Sequence, residues 1–173
     1  MDEARSSRWP RVALAAIAGL AALAVLAALF DVWPFDDGGQ LTAEEFIAQG
    51  DDICSDAHQQ FADLQPSPPS TAEEAAVLTG KLLSISEDEY NAILDLREPD
   101  ELEVEVTRYL QARSDGIDLI RDAYDAAQND DARAYYRSLK KVSSTQVERL
   151  KLARDVGFSE CSRPLPALAA ASQ

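Results

Sequence analysis

The sequence predicts an all-α protein: an N-terminal single transmembrane helix followed by an up-down-up-down four-helix bundle. Three observations predict it. Val12 to Phe30 is one apolar run without a charge, and four later segments repeat apolar residues at three- and four-residue steps. The one strand-like alternation, Glu101 to Val106, has no partner strand anywhere in the chain, so it reads as helix.

The apolar run is nineteen residues long. At about 1.5 Å per residue it matches the roughly 30 Å hydrocarbon layer, whereas a cleavable signal peptide has an apolar stretch of about 7 to 15 residues. Trp9 and Trp33 bracket it, with Pro10, Phe30 and Phe35 beside them, as headgroup-level rings would. Arg5, Arg8 and Arg11 precede it, and Lys81 is the first basic residue after it. By the positive-inside rule residues 1–11 are a cytoplasmic arm, residues 12–30 a signal anchor, and the rest extracytoplasmic. The alternative is cleavage near Ala27 or Ala28, which would secrete the same outer domain. No cysteine follows the run before Cys54, so a lipid-attachment site is lacking at the usual place. Small residues four apart (Ala15 and Gly19, Ala18 and Ala22, Ala24 and Ala28) are what an alanine-rich span produces by chance, and they leave the oligomeric state open.

Residues 31–41, with Pro34 and Gly38-Gly39, read as a polar linker, and residues 42–161 as the bundle. Its first helix opens with a capping box from Thr42 to Glu45 and buries Phe46, Gly50, Ile53, Cys54, Ala57, Phe61 and Leu64 before Pro66, Pro68 and Pro69 end it. A second box, Thr71 to Glu74, starts a helix whose stripe is Leu78, Leu82, Ile85, Ile93 and Leu96, with a weak point at Ser84 to Glu89. Pro99 suits the first turn of the third helix, which turns Leu102, Val106, Tyr109, Leu110, Ile117, Ile120 and Tyr124 inward and has a potential kink at Ser114-Asp115-Gly116. Asn129 to Asp131 supply a turn and an N-cap for the fourth, with stripe Tyr135, Leu139, Val142, Gln146, Leu150 and Ala153. Gly157 then fits a left-handed cap with Phe158 folding back. Residues 162–173, with Pro164, Pro166 and an alanine run, read as a disordered tail.

Charge is distributed unevenly. From Asp31 onward there are 29 acidic and 13 basic side chains, a balance that repels nucleic acid and anionic lipid. Residues 31–105 hold 20 acidic groups against Lys81 and Arg97, whereas residues 106–173 hold 9 against 11 basic ones. In an up-down-up-down bundle the fourth helix neighbours the first. Arg133, Arg137, Lys140, Lys141, Arg149, Lys151 and Arg154 would then face Glu44, Glu45, Asp51, Asp52, Asp56 and Asp63, at about 0 to 1 kcal/mol for each exposed pair.

Cys54 and Cys161 lie near opposite ends of the outer domain, on the expected oxidising side of the membrane, and read as one disulfide. Closing so long a loop stabilises by roughly 4 to 5 kcal/mol in the chain-entropy picture. The rival reading is a pair of reactive thiols or metal ligands. Through Gly50-Asp51-Asp52-Ile53-Cys54 and Val156-Gly157-Phe158-Ser159-Glu160-Cys161 the domain resembles a group of uncharacterised actinobacterial small helical-bundle proteins, membrane-tethered or secreted, with a cysteine in the first helix and a glycine-apolar-x-x-cysteine ending. That resemblance covers about residues 42–161. It implies an envelope location and a Cys54–Cys161 bridge, with no activity attached.

The residues offer little chemistry. His58 is the only histidine; with Cys54 it falls short of a four-ligand zinc site, and no Glu-x-x-His pair exists for a di-iron centre. No nucleophile elbow or triad and no phosphate loop appears, and a narrow bundle lacks a cleft in which paired carboxylates could cut sugars. No cofactor is implied. Asp115, Asp118, Asp122 and Asp125 form an acidic ladder on the third helix, and Glu87-Asp88-Glu89 a compact patch. Both are weak cation candidates, because neither supplies the six to eight oxygens of a calcium site. The sequence therefore predicts a non-enzymatic, membrane-anchored extracytoplasmic domain that contacts an envelope protein or wall component. The alternative is an extracytoplasmic ligand- or cation-binding, sensor-like domain.

Overall fold

A computed structural model describes residues 41–64 and 67–164. The expected arm, anchor, linker up to residue 40 and tail from residue 165 lie outside the described residues. None of the described helices is long and apolar enough to cross a membrane. Among the described residues there are four α-helices and no strand: α1 (Ala43–Asp63), α2 (Ala72–Leu94), α3 (Glu103–Gln128) and α4 (Ala132–Val156).

Local chemistry sets each boundary. At α1 the Thr42 hydroxyl accepts from the Glu45 backbone N–H at 3.2 Å, while the Glu45 carboxylate accepts from the Thr42 N–H at 2.9 Å. Those Thr42 donors, backbone first and hydroxyl second, hold the Glu45 carboxyl below its ordinary range. At α2 the box is displaced by one residue: Thr71 caps the Glu74 N–H, but Glu74 accepts from the Ser70 hydroxyl at 2.6 Å and the Ser70 N–H at 2.7 Å. Pro99 does not open α3 directly. It precedes a 3₁₀ turn, Asp100–Leu102, in which the Leu102 N–H bonds to the Pro99 carbonyl. The helix α2 runs unbroken through Ser84 to Glu89, and α3 through Ser114 to Gly116. Asp131 caps α4 by accepting from the Ala134 N–H, and Gly157 adopts φ 106°, so that the Phe158 N–H reaches back to the Ala153 carbonyl.

Successive helices reverse direction, as their shared clusters show. Phe46 from the start of α1, Ile93 from the end of α2, Val106 and Tyr109 from the start of α3, and Ala153 and Val156 from the end of α4 form one buried cluster. Ala75 and Ala76 of α2, Ala123, Ala126 and Ala127 of α3, and Tyr135 of α4 form a second one at the other end. A third joins Ala57 and Phe61 of α1 to Ile85 of α2.

One expectation about packing is corrected. The extensive pairings are α3 with α4 and α2 with α3, with a smaller one between α1 and α2; α1 and α4 share no comparable face. Among the described residues no ion pair joins the acids of α1 to the bases of α4. Ion pairs between helices run instead from α2 to α3, Glu87 to Arg121 and Glu89 to Arg113. The physical reason lies beyond the end of α4, where the turn after Val156 occupies the position next to α1.

Candidate functional site

That turn gathers ring contacts, hydrogen bonds and a disulfide. Phe158 is buried against Phe46, ring centroids 5.8 Å apart, and meets Tyr109 edge-on at 5.5 Å. Gly50 makes room for it: a Cβ there would lie 2.3 Å from the Phe158 ring. One residue on, the Asp51 carboxylate accepts from the Ser159 hydroxyl at 2.6 Å, the Ser159 N–H at 3.1 Å and the Glu160 N–H at 2.8 Å. Cys161 is then joined to Cys54 by a disulfide, and no cysteine is left free. The two sequence segments singled out above, residues 50–54 and 156–161, thus form one clamp fixing the turn after α4 to α1.

Beneath the clamp sits a charged cluster that the apolar pattern alone did not reveal. The Glu89 carboxylate, only 7% exposed, accepts from Arg113 at 2.7 Å and lies 3.6 Å from the Cys54 sulfur. Burial is the largest single influence on Arg113 and lowers its pKa, but Glu89 and Tyr109 together outweigh it and hold the guanidinium above its ordinary value. The Arg113 Nε is buried without a hydrogen-bond partner. Nearby, Arg149 lies along Gly116, where a Cβ would come within 3.4 Å of it, and donates to the Val142 carbonyl and the Thr145 hydroxyl of its own helix. Burial first, and the charge of Arg113 second, pull Arg149 down to about 10. Burial also raises the Tyr109 phenol well above its usual range, keeping it protonated.

Sequence reasoning grouped Glu89 with Glu87 and Asp88 as one acidic patch, and the structure divides them: Glu89 is buried, Glu87 pairs with Arg121 and Asp88 is exposed. A signal was available. Glu89 falls midway between Ile85 and Ile93, Arg113 midway between Tyr109 and Ile117, and Arg149 within the Val142-to-Ala153 stripe, so each charge occupies a core register.

The other candidates stay apart. Asp115, Asp118, Asp122 and Asp125 are exposed on α3; Asp118 pairs with Arg121 and Asp115 accepts from Gln111 at 2.8 Å. Among the described residues, no three His, Cys, Asp or Glu side chains gather closely enough to hold a metal ion. His58 is half-buried on α1, and burial lowers its pKa against the partial opposition of Glu89. An open groove lies beside the proline turn, bordered by Leu64, Pro68, Pro69, Val77, Leu78 and Lys81. The clamp ties the turn after α4 to α1, and the Glu89–Arg113 pair ties α2 to α3. No protein-family model, curated protein or solved structure matches the chain.

Proposed function

We propose that this chain is a membrane-anchored extracytoplasmic helical domain of an actinobacterial-type envelope, working by contact with an envelope protein or wall component and without chemistry of its own. The observation that carries this reading is the uncharged run Val12–Phe30, preceded by three arginines and followed by fifty residues without a basic one. The Cys54–Cys161 bridge supports it, since disulfides persist in oxidising compartments.

Fractionation with N-terminal sequencing tests it. The mature protein is expected to retain residues 12–30, to stay with membranes through alkaline extraction, and to expose its helical domain to protease added outside the cytoplasmic membrane. A start near residue 28 would replace the anchor with secretion. Crosslinking in intact cells is then expected to recover a specific partner. A thermal melt with divalent ions separates the binding alternative: a selective, saturable rise for one ion, about 2.7 kcal/mol at a hundred times its dissociation constant, would favour a cation-binding domain.

A further inference from the structure

The helix α4 carries a concentrated strip of positive charge that the fold leaves unused. Arg133, Arg137, Lys140 and Lys141 follow steps of four, three and one, so they share one side of the helix, and all four are exposed. Asp52, Asp56 and Asp63 are exposed along α1. Among the described residues, none of these seven makes an ion pair, whereas Lys151, further along α4, is matched by Asp155. The two strips do not meet within one chain, because α1 packs on α2 while α4 packs on α3. Both reach the half of the bundle farther from Thr42: Asp56 and Asp63 neighbour the buried Ala57 and Phe61, and the bases surround Tyr135 and Ser138.

We infer that these strips are the two sides of a contact between copies of this chain, the bases of α4 on one copy lying against the acids of α1 on the next. The two surfaces differ, so the contact repeats head to tail into a row instead of closing a two-fold dimer. The inference rests on the anchored reading in one respect. A single exposed pair contributes about 0 to 1 kcal/mol, so a few of them hold dilute molecules together poorly, whereas tethering in one plane and one orientation raises their effective concentration. The net negative charge of each copy does not forbid the contact. At physiological salt the Debye length is about 8 Å, which leaves the charges at the contact in play and screens the rest. An anionic polymer would also suit α4, but it leaves the unpaired acids of α1 without a role.

The test uses the full chain in neutral phosphatidylcholine vesicles, with donor and acceptor dyes at the C-termini of separate populations. Energy transfer is expected at physiological salt and is expected to vanish at about 1 M, where the Debye length is about 3 Å. Reversing α4 (Arg133→Glu, Arg137→Glu, Lys140→Glu, Lys141→Glu) or α1 (Asp52→Lys, Asp56→Lys, Asp63→Lys) should abolish transfer within each variant. A mixture of the two variants should restore it. No transfer for the natural chain, or no restoration on mixing, overturns the inference; so does transfer that survives high salt, which marks an apolar contact through exposed Tyr136 and Val147. Circular dichroism checks the variants, and if a reversal unfolds, Arg137→Ala with Lys141→Ala takes its place, expected to lose about half of the transfer. Flotation reports the anchor separately: a chain that does not float with vesicles removes the anchored reading, and the mixing test is then repeated with both variants tethered to the vesicle surface through an added lipid anchor at the N-terminal side, which restores the effective concentration the contact needs.

Discussion

The two ends of the bundle are made of different materials. Around the start of α1 the core is aromatic and branched (Phe46, Ile93, Val106, Tyr109, Val156, Phe158), and it is crossed by a disulfide and a buried ion pair. At the other end five alanines and Tyr135 fill the space between α2, α3 and α4. A fully buried large apolar side chain stabilises by about 1.5 to 3 kcal/mol, and a lone methyl by well under half of that. Stability therefore concentrates where α1 is clamped. The comparison teaches why the clamp exists: α1 has the slimmest helix pairing of the four, and the turn after α4 supplies what its own packing does not.

The largest expected effect lies in the clamped end. Glu89→Ala leaves half-buried Arg113 and Arg149 side by side without a counter-charge and is expected to destabilise by about 3 kcal/mol in urea denaturation, the low end for a broken buried pair. Glu73→Ala, on the exposed first turn of α2, should stay within about 0.5 kcal/mol. A double change, Glu89→Leu with Arg113→Met, should recover most of the loss, because it removes both charges while keeping volume. Equal effects of Glu89→Ala and Glu73→Ala would break the contrast between the ends.

Next comes the covalent part. Replacing Cys54 and Cys161 together with alanine is expected to cost about 2 to 5 kcal/mol, and a reductant should reproduce the loss in the natural chain but leave the variant unchanged. Glycines then sharpen the comparison. At Gly50 a Cβ would sit 2.3 Å from a packed Phe158 ring, so Gly50→Ala should destabilise by about 1 to 3 kcal/mol. At Gly80 a Cβ would meet the half-buried Tyr124 at 3.1 Å, a ring with room to yield. There the helix-propensity gain of about 1 kcal/mol offsets the crowding, and Gly80→Ala should change little. Melting temperatures of the two variants decide it.

Much of this fold was legible in the residues. Thr42, Asp131 and Gly157 mark helix ends through chemistry that is local in sequence, and the structure places all three where that chemistry predicts. Core positions with a long apolar side chain were legible for the same reason. Ala75, Ala76, Ala123 and Ala126 were not, because alanine is at home both inside and outside a helix. The pairing of charges was the least legible. Composition suggested that α1 and α4 neutralise each other, but which helices touch depends on how the turn at Phe158 docks, a contact between residues more than a hundred positions apart. The cluster of buried Glu89 with half-buried Arg113 and Arg149 was readable by register, yet charge normally argues for exposure.

The smallest expected effect is a pH dependence centred on His58, one turn after the bridged Cys54 on α1. His58 has a folded pKa below that of an unfolded histidine, with burial as the main cause. In the window from about 6.5 down to that lower value the unfolded chain binds a proton that the folded chain refuses, so stability should fall as pH falls. Carboxylates held low, such as Glu45 and Glu74, lose their contribution only at more acidic pH, below about 4.3. The two windows are therefore separable. His58→Gln should flatten the upper one and leave the lower one in place, as read by urea midpoints from about pH 8, through the span in which histidine titrates, down to about pH 3. A slope that persists in His58→Gln would move the proton-linked group away from the clamp, and with it part of the difference between the two ends.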